Sequence, residues 1–379
     1  MSANAATLLH STLPRQAVPT DRTFPDQLLA RLDHAGLTGR GGGAFPTAVK
    51  IASARGRQPR LIVNACDGEP LVAKDTVLLE TSPGLVLDGA ALVAQAVGAS
   101  EIVVAVHAGT AAETQLRALV ADRRRWRVLA VPARYVSSEA SSLVSLLDGG
   151  EARPLDKEQP LTHGRGRHRA ALVLNAETLA QVALIWAGHA GPLSRLVTVT
   201  GAVATSGVVE ADETESIAGL ITRAGGLVDA PQAVLIGGYS GSWLPWSAAR
   251  YETIAGLGRR GVPLGAGLVH VLGQGCPIPV VGGILGYLAG ESAGQCGPCM
   301  FGLPALAQDW NELADPARSA AAQARLTRRL PVVNGRGACR HPDGVVTMAA
   351  TALSTFATHL VAHQHGDCRV GVPVLVGAR

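Results

Sequence analysis

Cys296 and Cys299 form a C-x2-C pair within Gly290-Glu-Ser-Ala-Gly-Gln-Cys-Gly-Pro-Cys-Met-Phe-Gly302, and Cys339 follows in Gly335-Arg-Gly-Ala-Cys-Arg-His-Pro-Asp-Gly344. A C-x2-C turn brings two thiolates within reach of one centre, and a third from a distant segment closes over it. Soft thiolates at this spacing suit either an iron–sulfur cluster or zinc. The spacing does not choose between them, because His341 beside Cys339 would complete a Cys3His zinc set. Two buried apolar thiols would satisfy the same pattern.

Three other stretches could do chemistry. Gly36-Leu-Thr-Gly-Arg-Gly-Gly-Gly-Ala-Phe-Pro-Thr-Ala-Val-Lys50 is a glycine-rich loop entering a helix, with a lysine two turns on. Such a loop can cradle phosphate through backbone N–H groups and the helix N-terminus, although glycines alone also make ordinary turns. Arg60-Leu-Ile-Val-Asn-Ala-Cys-Asp-Gly-Glu-Pro70 is a short apolar strand ending in polar residues. Ligands of open α/β sheets sit beyond the carboxyl ends of strands, where Asn64, Asp67 and Glu69 fall. Tyr135-Val-Ser-Ser-Glu-Ala-Ser-Ser-Leu143 brings hydroxyls into a helix start, suited to ribityl or phosphate contacts.

The elements that must position these residues alternate. Phe24 onward has helical spacing, Asp88 to Gly98 reads as a helix, and Glu101 to His107 as a buried strand. Thr110 to Val120 is again a helix and Trp126 to Pro132 a strand. This βαβ order predicts a parallel sheet covered by helices. From Ser194 the pattern changes: an alternating strand at 195–203, a hairpin partner at 206–210, a helix at 216–224 and a closing stretch at 233–245. After Gly282 helical patterns dominate, at Ile284 to Glu291, Phe301 to Leu313, Pro316 to Leu330 and Val345 to His363.

Of the 379 residues, 47% are apolar and 16% charged, which predicts a folded chain of two or three domains. Net charge is +4. The basic runs at Arg123–Arg127 and His163–Arg169 come with no nucleic-acid motif, so no nucleic-acid partner is expected. No secretory signal pattern is visible, and the apolar run from Pro279 to Ala289 is too short and glycine-rich to span a bilayer. Six cysteines without a paired framework point to reduced thiols and the cytoplasm.

Taken in order from about residue 30 to 365, these strings resemble the NADH-binding flavoprotein subunit of respiratory complex I and NAD-linked hydrogenases. Glu291 to Cys299 is similar to that family's E-S-C-G-x-C-x-P-C, the loop at 39–50 to G-R-G-G-A-G-F-P-T-G-L-K, and residues 64–70 to N-A-D-E-x-E-P. Residues 135–143 are similar to Y-x-C-G-E-E-T-A-L and 172–179 to V-N-N-V-E-T-L. The resemblance implies that Gly39, Arg40, Gly41 and Gly42 hold FMN, with Lys50 at its phosphate and Phe45 stacked on the nicotinamide nucleotide. It implies that Asn64, Asp67 and Glu69 read flavin and nucleotide, that Asn175 is retained, and that Glu69 and Glu139 stand at catalytic positions. A nucleotide-contacting lysine–proline–phenylalanine stretch survives loosely around Lys157 to Pro160. Cys296, Cys299 and Cys339 are implied ligands of a [4Fe–4S] cluster, with [3Fe–4S] open because the family's first cysteine is Ala293 here.

Other departures are Cys66 for an aspartate, Ser138 for a glycine, Ala140 for a glutamate and Leu174 for an asparagine, and the second stacking aromatic is absent near Ile51 and Ser53. The implied architecture is a Rossmann-like parallel-sheet flavin domain (1–190), a ubiquitin-like β-grasp insert of SLBB type (191–275) and a C-terminal helical bundle carrying the iron–sulfur site (276–379). The implied activity passes electrons from NAD(P)H through FMN to the cluster. The partner would be a ferredoxin-like or other iron–sulfur subunit within a larger complex, without membrane insertion. The alternative is a non-catalytic subunit bearing a cluster or zinc.

Overall fold

A parallel four-stranded sheet organises the first part of the chain. The computed structural model describes residues 7–10, 17–156, 159–164, 166–189 and 193–368, so Lys157 and the residue after it, in the loosely matched stretch, lie outside the described residues. Two compact units emerge: Met1–Gly68 with Ala73–Leu196 and Glu210–Glu213, and Glu69–Val72 with Val197–Val209 and Thr214–Arg379.

In the first unit, helices α1 (Phe24–His34) and α2 (Thr47–Ala54) precede strand β1 (Arg60–Asn64). There follow α3 (Lys74–Thr81), α4 (Pro83–Val97), β2 (Glu101–His107), α5 (Ala111–Val120), β3 (Trp126–Val131), α6 (Ala140–Leu147), β4 (Ala171–Asn175) and α7 (Ala176–Trp186). The strands lie in the order β3-β2-β1-β4, all parallel. Both faces of such a sheet are covered, which is why β1, β2 and β4 read as unbroken apolar runs. Helices α4 and α7 pack so closely that a Cβ on Gly89 would lie 1.8 Å from the Leu179 carbonyl oxygen. Leu143 and Val144 of α6 pack with Ile62, Val103 and Val173 of the sheet in one buried cluster.

Most of a mixed five-stranded sheet lies in the second unit. Its strands are β5 (Ser194–Gly201), β6 (Gly207–Asp212), β7 (Ala233–Ile236), β8 (Ser242–Pro245) and β9 (Leu268–Leu272), in the order β6-β5-β9-β7-β8. Helix α8 (Ile217–Arg223) follows β6, and short helices α9 (Trp246–Ala249) and α10 (Ile254–Arg259) follow β8. The β5–β6 pairing and the helix after it agree with the sequence pattern. The central strand β9, parallel to β5 and antiparallel to β7, went unread: its five residues, His270 among four aliphatics, are buried throughout and carry no alternation to mark them.

The helical patterns after Gly282 become α11 (Pro277–Gly290), α12 (Leu303–Asn311), α13 (Pro316–Val333), α14 (His341–Thr355) and α15 (Ala357–Gln364). The last two were one run in sequence; the chain bends by 71° between them. At the bend Phe356 packs edge-on against Trp243 of β8, with ring centroids 5.3 Å apart. The Trp243 backbone N–H donates to the Thr351 hydroxyl at 3.0 Å, and the Thr355 hydroxyl donates to the Trp243 carbonyl at 3.0 Å. Two threonines one helical turn apart thereby satisfy the N–H and carbonyl of Trp243 in the edge strand. Trp310 is fully buried and its indole N–H donates to the Ile278 carbonyl, locking α12 to α11. Among the described residues no single helix is long and apolar enough to cross a membrane.

Candidate functional site

The strand order of the parallel sheet reverses between β1 and β4, and a crevice at such a switch point is where open α/β sheets bind ligands. Asn64 and Asn175 end these two strands in register with each other. Asn175 uses its whole amide: Nδ2 donates to the Asn64 carbonyl at 3.2 Å and to Asp75 at 2.7 Å. Its Oδ1 accepts the Glu177 N–H, capping α7, and the Lys74 ammonium at 3.1 Å. Asn64 donates to the Ser138 carbonyl at 2.8 Å.

The glycine loop lies over this pair. A Cβ on Gly41 would stand 3.3 Å from the Asn175 Cβ, whereas one on Gly43 would meet nothing within 4 Å. Gly42 has φ +99°, a conformation glycine adopts without strain. The loop is closed by the Gly39 N–H bonded to the Phe45 carbonyl and anchored by the Arg40 N–H bonded to Thr178 Oγ1. Among the described residues the N–H groups of Gly41, Gly42 and Gly43 have no protein partner. The Arg40 side chain is buried; its Nη1 meets Glu213 at 3.1 Å, but its Nε finds no partner among the described residues. Lys50 Nζ donates to the Val173 carbonyl at 2.7 Å, and burial pushes its pKa down, partly offset by the nearby Glu139 carboxylate. An ammonium has three protons to donate. Open N–H groups, a buried guanidinium nitrogen and a desolvated lysine form a donor set that fits a phosphate-bearing cofactor such as FMN.

Other implied residues serve the frame. The Asp67 carboxylate accepts the N–H groups of Asp75 and Thr76 at 3.0 and 2.8 Å, holding the start of α3. Glu139 caps α6 through the N–H groups of Ser141 and Ser142 and bonds the Ser141 hydroxyl. Cys66 faces the core cluster, where burial and then Asp75 and Asp67 hold its thiol far above the usual range; it is inert packing. Glu69 belongs to the second unit, where its carboxylate accepts the Tyr239 N–H at 2.7 Å and presses against Gly238, whose φ is +110°. Phe45 is 54% exposed.

Sequence reasoning missed a buried ion cluster under the crevice. Lys74 contacts Asp75 at 3.0 Å and Glu177 at 2.9 Å, all three fully enclosed. Burial opposes the Lys74 charge, but the Asp75 and Glu177 carboxylates overcome it and raise its pKa. Burial pushes Asp75 up, against the pull of Lys74. A Lys-Asp dipeptide looks like surface in a sequence; only the meeting of α3 and α7 buries it.

In the second unit the Cys299 thiol feels both of the other expected cysteines. Cys299 lies in the turn Pro298–Gly302, Cys296 two residues before that turn, and Cys339 just before α14. Burial, then the neighbouring Cys296 and Cys339, push the Cys299 thiol up to about 12. A bound cation would reverse this shift of Cys299, since a metal deprotonates its thiol ligands outright. Ala293 is half-buried in the same loop and supplies no ligand. His341 is buried; its Nε2 donates to the Leu288 carbonyl at 2.8 Å, so only Nδ1 could face a metal. Burial lowers its pKa and keeps it neutral. Cys276 lies instead against His363, with Sγ to Nε2 at 3.1 Å.

Comparison with known proteins yields two family matches. Residues 32–184 match the Nuo51 FMN-binding domain, and residues 280–363 match the NADH-ubiquinone oxidoreductase-F iron–sulfur binding region. An NADH-quinone oxidoreductase subunit of Rhizobium meliloti (strain 1021) is 26% identical over 375 residues, covering 89% of each chain. A subunit of the ion-translocating oxidoreductase complex of Citrobacter koseri is 29% identical over 228 residues, covering 59% of this chain and 31% of that protein. Two structures of an NAD+-reducing [NiFe]-hydrogenase superpose. The H2-reduced state gives a TM-score of 0.83 at 25% identity, covering 96% of this chain and 67% of that one. The air-oxidised state gives 0.80 at 28% identity, covering 93% and 65%.

Proposed function

We propose that this chain, which belongs to the family joining a Nuo51-type FMN-binding domain to an NADH-ubiquinone oxidoreductase-F iron–sulfur region, carries electrons from a reduced nicotinamide nucleotide to an iron–sulfur centre and on to a redox partner. The observation that carries this reading is the glycine loop with open N–H groups over the Asn64–Asn175 switch point, in a chain that also gathers three thiols. Bound FMN would supply hydride acceptance and single-electron release, and the cluster one-electron carriage.

The residues of the chain have separable tasks. Gly41, Gly42 and Gly43 would bind through their N–H groups, while Lys50 and Arg40 meet the phosphate charge. Asn64 and Asn175 fix the floor, and Glu139 balances Lys50. Cys296, Cys299 and Cys339 would hold three irons, leaving one corner to His341 Nδ1 or solvent. The functional division is residues 1–190 for flavin and nucleotide, 191–275 for support, and 276–379 for the cluster. The partner is a ferredoxin-like or other iron–sulfur subunit of a larger assembly. The six cysteines, which form no paired framework in sequence, are the ground for inferring a reducing compartment, the cytoplasm.

A second reading is a cluster-bearing subunit without NADH oxidation. It draws on Glu69, whose carboxylate accepts from Tyr239, and on Phe45, which is exposed and in sequence lacks the second stacking aromatic near Ile51 and Ser53. Anaerobic purification with iron, sulfide and flavin quantified, followed by rapid mixing with NADH and NADPH, separates the two. Bleaching of bound flavin is expected. A flavin that stays oxidised transfers the case to the second reading, and protein lacking both flavin and sulfide overturns both cofactor assignments.

A further inference from the structure

We propose that Cys276, His359, His363 and Cys368 form a second metal centre, a closed Cys2His2 zinc site. One ligand atom from each of the four residues lies within 4.8 Å of all the others. Cys276 Sγ is 3.1 Å from His363 Nε2, and Cys368 Sγ is 3.5 Å from His359 Nε2. Around a tetrahedral zinc with Zn–S of about 2.3 Å and Zn–N of about 2.0–2.1 Å, sulfur–nitrogen edges come to about 3.5 Å. These two sulfur–nitrogen contacts are therefore close to the spacing a tetrahedral ion sets, and all four ligand atoms lie within 4.8 Å of one another.

The fold explains the convergence. His359 and His363 stand one turn apart on α15, so both rings leave the same helix face. Cys276 is the N-cap of α11, where the positive end of the helix favours a thiolate. The loop before it is fixed by Gln232 Nε2, which donates to the carbonyls of Gly273 and Gly275. Cys368 arrives from the segment after α15. Two thiolates and two imidazoles in a tetrahedron select zinc over the hard, oxygen-seeking cations. On binding, each thiol gives its proton to solvent, so two protons leave per Zn2+ and no electron moves.

This centre is distinct from the three-thiol site. The two lie at opposite ends of α11, about 20 Å apart by helix rise, because His341 beside Cys339 bonds Leu288 in its last turn. The zinc would staple the start of α11, α15 and the segment after it into one piece.

The test is metal analysis of the full chain purified under reductant without chelator, combined with zinc K-edge absorption. About one zinc per chain with two sulfur and two nitrogen neighbours is expected. His359→Ala with His363→Ala should lose the zinc and keep the iron; Cys296→Ser with Cys299→Ser and Cys339→Ser should do the reverse. Should the histidine variant fail to fold, His363→Cys keeps a ligand and should retain zinc with three sulfurs and one nitrogen. Absence of zinc, three sulfurs around it in the unaltered chain, its loss with the Cys296 set, or a Cys276–Cys368 disulfide in that reduced preparation would each overturn the site. Iron and flavin contents report separately on the electron-transfer reading.

Discussion

The side-chain amide of Asn175 donates to the backbone carbonyl of Asn64 at 3.2 Å, across the point where the order of the parallel strands reverses. The two strands diverge in connectivity there, and one side chain ties their ends together. The same amide reaches Asp75 and Lys74, so the floor of the crevice and the ion cluster below it form one hydrogen-bonded unit.

Lys74→Met should be severely destabilising. It leaves Asp75 and Glu177 enclosed without their cation, a loss of about 3–5 kcal/mol in urea denaturation near neutral pH. Burial raises the pKa of Asp75, so folded protein binds that proton more tightly than unfolded protein does. The deficit of the variant should therefore shrink as pH is lowered. A pH-independent or negligible deficit would remove the cluster from its structural role.

Lys50→Ala should weaken FMN binding by about 10- to 100-fold, the worth of one charge-assisted contact. Thermal stability of the flavin-free protein should hold, since the lysine is desolvated there and its removal relieves that cost. Fluorescence titration with FMN reads the change. Unaltered affinity would place the phosphate elsewhere.

Ala293→Cys should complete an all-cysteine set with Cys296, Cys299 and Cys339. A fourth thiolate adds negative charge around the irons, so the reduction potential should fall. Redox titration followed by electron paramagnetic resonance checks this. A potential unmoved by the new thiol would mean that residue 293 does not face the open corner.

His270 should make the second sheet sensitive to acid. It is buried in β9 beside the Thr200 hydroxyl, and burial pushes its pKa down to about 4. The unfolded chain binds that proton more readily, so stability falls as pH drops from about 6.5 towards 4. Between pH 7 and pH 5 the loss from this group is about 2 kcal/mol. His270→Gln should flatten that part of the profile; an identical acid limb in the variant would refute the assignment.

The parallel sheet was legible because Leu61 to Val63 and Ile102 to Val106 are unbroken apolar runs ended by polar residues. The glycine loop and C-x2-C were legible as strings. What the strings did not carry was how much bonding capacity each polar residue spends on the frame. Asp67 and Glu139 look like cofactor contacts in sequence, yet both hold helix starts, because a carboxylate near a helix start finds open N–H groups first. The Lys74 cluster and the Cys276 group join residues 103 and 87 positions apart, and no local pattern encodes such meetings.

Strand β8 ends its sheet, and the hydroxyls of Thr351 and Thr355 occupy the outward N–H and carbonyl of Trp243. A row of open amides at that position would be a template for any extended peptide, its own copies included. With Trp243 already bonded to a helix, strand addition is blocked there, and an extended peptide cannot pair with the sheet through that residue. The same closure opposes polymerisation of copies edge to edge along β8.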